Sequence, residues 1–193
     1  MKSNKNIALV ILFLIIGACA RWIPHLPNFT PTEALALFGA AHLSKRYLAI
    51  LLPLLLWYIS DFVLNNTILR SFYTETEGTI WFSNYMIYNA VAIVFIVLLG
   101  RKLLQKVTAG NVVLASITSS IMFFLVTNFG SWAHGASFYT RDFSGLMASY
   151  MAGLPFFATS MLSTLLFSGI LFGSFHLISS MIYGIKKTAT QKG

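Results

Sequence analysis

Residues 82–100, 111–127 and 154–184 contain no Asp, Glu, Lys or Arg. A soluble domain wets its surface with roughly 25% charged residues, and runs this long without charge have no place on such a surface. A bilayer-spanning helix needs about 20 mostly apolar residues, close to or within the length of these runs. Three more apolar segments, at about 7–20, 31–43 and 47–64, make a series of six. Over 193 residues only 9% are charged and 57% are hydrophobic. The chain reads as a single integral membrane domain over 1–193. No sustained alternation of period two appears, which excludes an outer-membrane barrel. The expected fold is all-α, a polytopic transmembrane helical bundle of about six helices.

The net charge is +8. In a membrane protein Lys and Arg collect in cytoplasmic loops beside the spans, so this balance gives no reason to expect nucleic acid. With six spans and the N-terminus inside, the inner side holds 10 of the 13 basic residues and the outer side Arg21, Arg70 and Arg141. A five-span arrangement that omits the short second segment, with the N-terminus outside, divides them 9 against 4. The six-span form is preferred, with both termini cytoplasmic at an inner membrane, because Lys2 and Lys5 then flank the first helix on the inside. All five acidic residues fall outside in that arrangement.

The first segment, with Lys2 and Lys5 before Ile7–Gly17 and Ala18-Cys19-Ala20 after it, shares the outline of a secretory signal and a loose lipobox. It reads instead as the first helix, with Arg21 and Trp22 as an interfacial anchor. Cys19 is the single cysteine, so neither a disulfide framework nor a Cys-based metal site is possible. In the second segment, Thr30-Pro31-Thr32-Glu33 predicts a capping box with Pro at the first helical position. At 1.5 Å per residue that helix is only ~20 Å long against a hydrocarbon core of ~30 Å. The Arg21–Phe29 connection is therefore expected to dip into the protein, where irregular backbone is tolerated if buried or lining a cavity.

The candidate solute-binding residues are Arg21, His25, Asn28, Glu33, Asp61, Asn128, Trp132 and Tyr139. Arg21 offers an anion partner, and three prolines stiffen the segment that carries it. Asp61, in the last turn of the third segment, is an intramembrane carboxylate, costly unless it faces a cavity or a partner. Asn128, Trp132, His134 and Tyr139, in a connection spanning 128–153, combine stacking surface with hydrogen-bonding groups. Plainer readings stand beside these: an interfacial Arg, a loop His, a capping Glu, a carboxylate at the membrane edge and an aromatic belt. His25 and His134 lack a recognisable ligand spacing, so no metal and no cofactor is expected. Ser160, Thr164, Ser168, His176 and Ser180, with Gly169 and Gly173, read as a packing stripe on the last helix. Ala36, Gly39 and Ala40 form a similar seam on the second. The chain carries no G-x-x-x-x-G-K-[ST], H-E-x-x-H or G-x-S-x-G motif, and it is not expected to be an enzyme.

Arg21, Pro24-His25-x-Pro27-Asn28-Phe29-Thr30-Pro31-x-Glu33-Ala34, Ser60-Asp61, Asn128-Phe129, Gly145-Leu146, Tyr150 and Gly153-Leu154-Pro155-Phe156-Phe157 resemble the signature of an uncharacterised family of bacterial integral membrane proteins. That family is similar to the substrate-binding (S) components of energy-coupling factor transporters. The resemblance implies six helices and an outward pocket capped by the first long loop. It also implies a vitamin-like micronutrient as substrate, and a membrane coupling subunit with paired ATPases as partner. S components often dock that partner through Ala-x-x-x-Ala on the first helix. Residues 7–20 contain none, and Ala36 and Ala40 are the pair that fits. With no P-loop and no acid–His relay across the spans, the partner is expected to supply the drive. The alternative is a structural or assembly subunit of a larger membrane complex. Transport predicts a polar cavity walled by 21–33, 61 and 128–150; a structural role predicts that these parts pack shut.

Overall fold

A computed structural model of the chain describes residues 7–23, 25–74, 77–134 and 138–190. Among them are six α-helices and no strand. They are α1 (Ile7–Ala20), α2 (Thr32–His42), α3 (Arg46–Asn66), α4 (Asn84–Leu103), α5 (Ala109–His134) and α6 (Phe143–Thr190), with a 3-10 turn at Arg70–Phe72. The six apolar segments thus become six helices. Four are long and apolar enough to cross a membrane: α3, α4, α5, and α6 over Phe143–Ile182. The described part of α1 is 14 residues, and α2 is 11.

The short helix is the centre of the bundle. Every α2 residue from Thr32 to Ala41 is buried, with α1, α3, α4, α5 and α6 all packed on it. The run Ala34–Ala41 is apolar or small on every face, and such a stretch belongs in the interior. Small residues set how near the neighbours come. A Cβ on Gly39 would lie 2.9 Å from Pro53 of α3, and one on Gly100 of α4 would lie 3.0 Å from both Ala40 and Leu37. Ala36 and Ala40 have no exposed surface. This corrects the expectation of a docking seam at Ala36, Gly39 and Ala40: the close approach belongs to α3 and α4 of the same chain, leaving no face for a partner helix.

At the far end of α2 the rings of Phe38 and His42 pack against Phe172 and Phe175 of α6, and Phe38 also stacks on Phe13 of α1. The turn into α3 is tied down by Arg101 of α4, which donates to the carbonyls of Leu43 (3.0 Å) and Ser44 (3.3 Å). Lys45, Arg46, Arg101 and Lys102 thereby share one end of the bundle. Arg21 and Asp61 lie at the other.

Two boundaries differ from the sequence expectation. The connector placed at 128–153 is mostly helix, because α5 continues to His134 and α6 begins at Phe143. Arg141 closes α5 by donating to the carbonyls of Trp132 and Ala133. Asp142 opens α6 by accepting from the Gly145 N–H (2.8 Å) and from the hydroxyls of Thr140 and Ser144. The capping box at Thr30–Glu33 does not form either. Pro31 occupies the N-cap position and has no side-chain oxygen to offer, Thr30 Oγ1 pairs with Thr32 Oγ1, and Glu33 points to another helix.

Candidate functional site

α1 ends at Ala20, and Arg21 turns directly back into the bundle. Its guanidinium donates to Asp61 Oδ1 of α3 at 2.6 Å and to the Trp57 carbonyl at 3.3 Å. Arg21 is 8% exposed and Asp61 5%. Both side chains are therefore enclosed by the protein rather than exposed on its surface. Asp61 also stands five residues before the end of α3, so the helix macrodipole is not what governs it; Arg21 is.

The pair sits inside a wider polar network. Tyr85, at the start of α4, has its hydroxyl 3.1 Å from Asp61 Oδ2 and 2.9 Å from Asn65 Oδ1, and Tyr73 donates to that same hydroxyl. Ser60 donates to the Ala18 carbonyl, and Trp22 Nε1 to the Ser60 carbonyl. Arg21 Nε remains without a partner. Beside it is a cavity of about 10 Å³ lined by Leu14, Ala18, Thr32, Pro53 and Trp57 among others. That is room for one water, not for a vitamin-sized molecule.

Glu33 lies on the next helix, 1% exposed. Its Oε1 accepts from Ser160 Oγ of α6 at 2.5 Å, and Ser163 donates to the Thr30 carbonyl at 2.7 Å. The stripe on α6 is therefore more than packing: Ser160 meets a carboxylate. Ser160, Thr164 and Ser168 are buried. Further along, Gly169 and Gly173 face open space and His176 is exposed.

The structure brings Arg21, Glu33 and Asp61 to one buried region where α1, α2 and α3 meet. His25 and Asn28 are exposed in the connection between α1 and α2, Asn28 with φ 60. Asn128 and Trp132 are on α5. Asn128 Nδ2 donates to the Phe124 carbonyl, the Asn128 carbonyl accepts from Ser149, and Trp132 Nε1 donates to the Thr140 carbonyl. Tyr139 is half-buried in the α5–α6 connection. His134 is exposed at the end of α5, its ring against Tyr88. No group of three or more metal-ligating His, Cys, Asp or Glu occurs among the described residues.

A second, larger hollow of about 450 Å³ opens between α4 and α5, with Tyr88, Phe95, Leu125, Phe129, His134 and Tyr150 in its wall. Its wall is largely apolar and includes exposed residues of both helices. None of the eight candidate residues lines it.

Tyr85, Asn65 and Ser160 belong to the polar region but are not among the sequence candidates. Asn65 carries a weak signal, since it follows Asp61 by one helical turn. Tyr85 and Ser160 carry none, because their partners come from 24 and 127 residues away.

Residues 1–187 match the description of a family of unknown function, DUF6580. The chain belongs to DUF6580. No curated protein and no solved structure matches it. For this DUF6580 member the family match covers α1 to α5, α6 as far as residue 187 and both polar regions, and it carries no function with it.

Proposed function

We propose that this protein is the substrate-binding membrane component of an uptake transporter for a vitamin-like small molecule, in a bacterial inner membrane with both termini cytoplasmic. One observation carries the reading: Arg21, the first residue after α1, forms a buried ion pair with Asp61 of α3, a helix long and apolar enough to cross a membrane. Burying two charges costs several kcal/mol per ion before their attraction is counted, and an ionisable group within a spanning helix is by default a candidate functional site. A bundle that needed only to be stable would do as well with apolar residues there.

In this reading Arg21 and Asp61 bind each other when no solute is present and exchange that contact for polar groups of the solute. The Arg21–Pro31 segment is the cover. Beyond the bonds of Arg21 to Asp61 and Trp57, its side-chain ties to the rest of the chain among the described residues include Trp22 to Ser60, Thr30 to Ser163, and the ring of Phe29 on Phe167. His25 and Asn28 ride on the cover, while Asn128, Trp132 and Tyr139 form the opposite rim. A separate coupling subunit with ATPases supplies the drive. The small-residue seam of α2 is internal, so that subunit docks elsewhere.

A second reading has its own observation. The cavity beside Arg21 holds about one water, and the walls expected to enclose a solute pack shut there. That favours a structural or assembly subunit. Native mass spectrometry of the purified protein separates the two. The transport reading expects a co-purifying small molecule that is lost in Arg21→Ala. A protein that carries no small molecule and co-purifies in fixed ratio with another membrane chain overturns it.

A further inference from the structure

We infer that Glu33, with the hydroxyls of Ser160, Thr164 and Ser120, forms a binding site for one monovalent cation of sodium's size inside the bundle. The argument begins with charge balance. Arg21 is matched by Asp61 at 2.6 Å. Glu33 is fully enclosed and makes no ion pair among the described residues. An ionised Glu33 therefore leaves one net negative charge among apolar helices, which is costly unless compensated. A bound monovalent cation cancels that charge one for one. A divalent ion would overshoot, and such ions are held by more carboxylates than one.

The donors suit that occupant. All are oxygens, the hard ligands an alkali ion prefers. Ser160 Oγ donates to Glu33 Oε1, and Thr164 Oγ1, one turn on and fully buried, donates to the Ser160 carbonyl. Each hydroxyl spends its hydrogen in these bonds and keeps oxygen lone pairs for a cation. Ser120 comes from α5. A Cβ on Gly153 would run into Asn128, and Phe124 packs on Phe157 with ring centroids 4.9 Å apart. Continued for one turn, that antiparallel register sets Ser120 level with Ser160 and Met161. Ser120 Oγ is fully buried and has no hydrogen-bond partner, which an ion ligand would explain. Ser116 and Ser119, also fully buried, extend the same polar face of α5.

The site stands apart from the solute reading, and its test needs no solute. Thermal unfolding of the purified full chain in detergent is compared in sodium, potassium and choline chloride at equal ionic strength, alongside equilibrium binding of radioactive sodium. We expect saturable stabilisation specific to sodium and one ion bound per chain. Glu33→Gln should abolish both. Ser120→Ala removes a hydroxyl that holds no hydrogen bond, so the fold persists, and sodium affinity should fall by about tenfold or more, as when a metal site loses a supporting group. Ser160→Ala should do the same. Equal stabilisation by all three salts overturns the inference, as does sodium binding that survives Glu33→Gln. If Glu33→Gln fails to fold, undiminished sodium affinity in both serine variants overturns it. Stabilisation that follows pH and ignores sodium assigns the carboxylate to a proton and overturns it too. In each of these outcomes a solute found by mass spectrometry would leave the transport reading intact.

Discussion

The Arg21–Glu33–Asp61 region and the α5–α6 connection hold the same kinds of residue at the same end of the bundle, yet they are built oppositely. In the first, charged groups are enclosed and answer one another across 40 residues of chain. In the second, Trp132, Arg141 and Asp142 bond to backbone within ten residues of themselves and stay at or near the surface. The difference is one of job. Long-range buried pairing fixes how α1, α2 and α3 sit together, whereas short-range surface bonding ends one helix and starts the next. Polar residues of the first kind lose much when a partner is removed. Those of the second kind lose little.

The largest expected effect tests that contrast directly. Removing one member of a buried ion pair costs about 3–5 kcal/mol, because the survivor is left uncompensated. Arg21→Ala and Asp61→Ala should each destabilise the protein on that scale in a chemical or thermal melt. Replacing both together with apolar residues of similar volume should recover much of the loss. A double variant as unstable as the sum of the singles would show that the two groups do not act as a pair.

The next effect compares glycines. Gly100→Leu must push into Ala40 and Leu37, and overpacking of this kind costs about 1–3 kcal/mol. Gly169→Leu on α6 meets nothing within 4 Å and should be neutral, or stabilising by up to about 1 kcal/mol through helix propensity. Equal losses at both positions would mean that the inner face of α2 is no tighter than the outer face of α6. Smaller still is Trp132→Phe, which removes a single hydrogen bond, to the Thr140 carbonyl. It should cost about 0.5–1.5 kcal/mol and leave the melt of the α1–α3 region unchanged by hydrogen exchange.

The fold was legible in the sequence where apolar length decides it. Uncharged runs such as 82–100 and 111–127 read as helices in lipid, and the second segment was already too short to span alone, although the preferred arrangement still counted it among six spans; four helices are long and apolar enough to cross, and α2 is not among them. The site was legible as a set of residue types and no further. Nothing local to Arg21 says that its partner is Asp61, and nothing local to Glu33 points to Ser160 on the last helix. The capping reading of Glu33 was the best local reading and lost to a tertiary contact. The rim was misread for the opposite reason. Asn128 to His134 look like loop because they mix Gly, Ser, Asn and aromatics, but lipid-embedded helices tolerate small and hydroxyl residues well, and α5 runs on to His134 while α6 starts at Phe143.

Asp142 gives the smallest and most sharply defined effect. Its carboxylate accepts from the Gly145 N–H first, and then from the Thr140 and Ser144 hydroxyls; these bonds hold its pKa down to about 2. The ordinary value for Asp is about 3.9. A group whose pKa is lower folded than unfolded stabilises the fold above the unfolded value and loses that contribution as pH falls through the folded one. The stability that Asp142 gives to the start of α6 is therefore complete at neutral pH and disappears between about pH 4 and pH 2. Asp142→Ala should lower the melting temperature slightly at pH 7, and the gap between the variant and the unaltered chain should close across that acid window. If the Asp142 gap is constant from pH 7 to pH 2, its bonds at the α6 N-terminus do not stabilise the fold, and the surface half of the comparison fails.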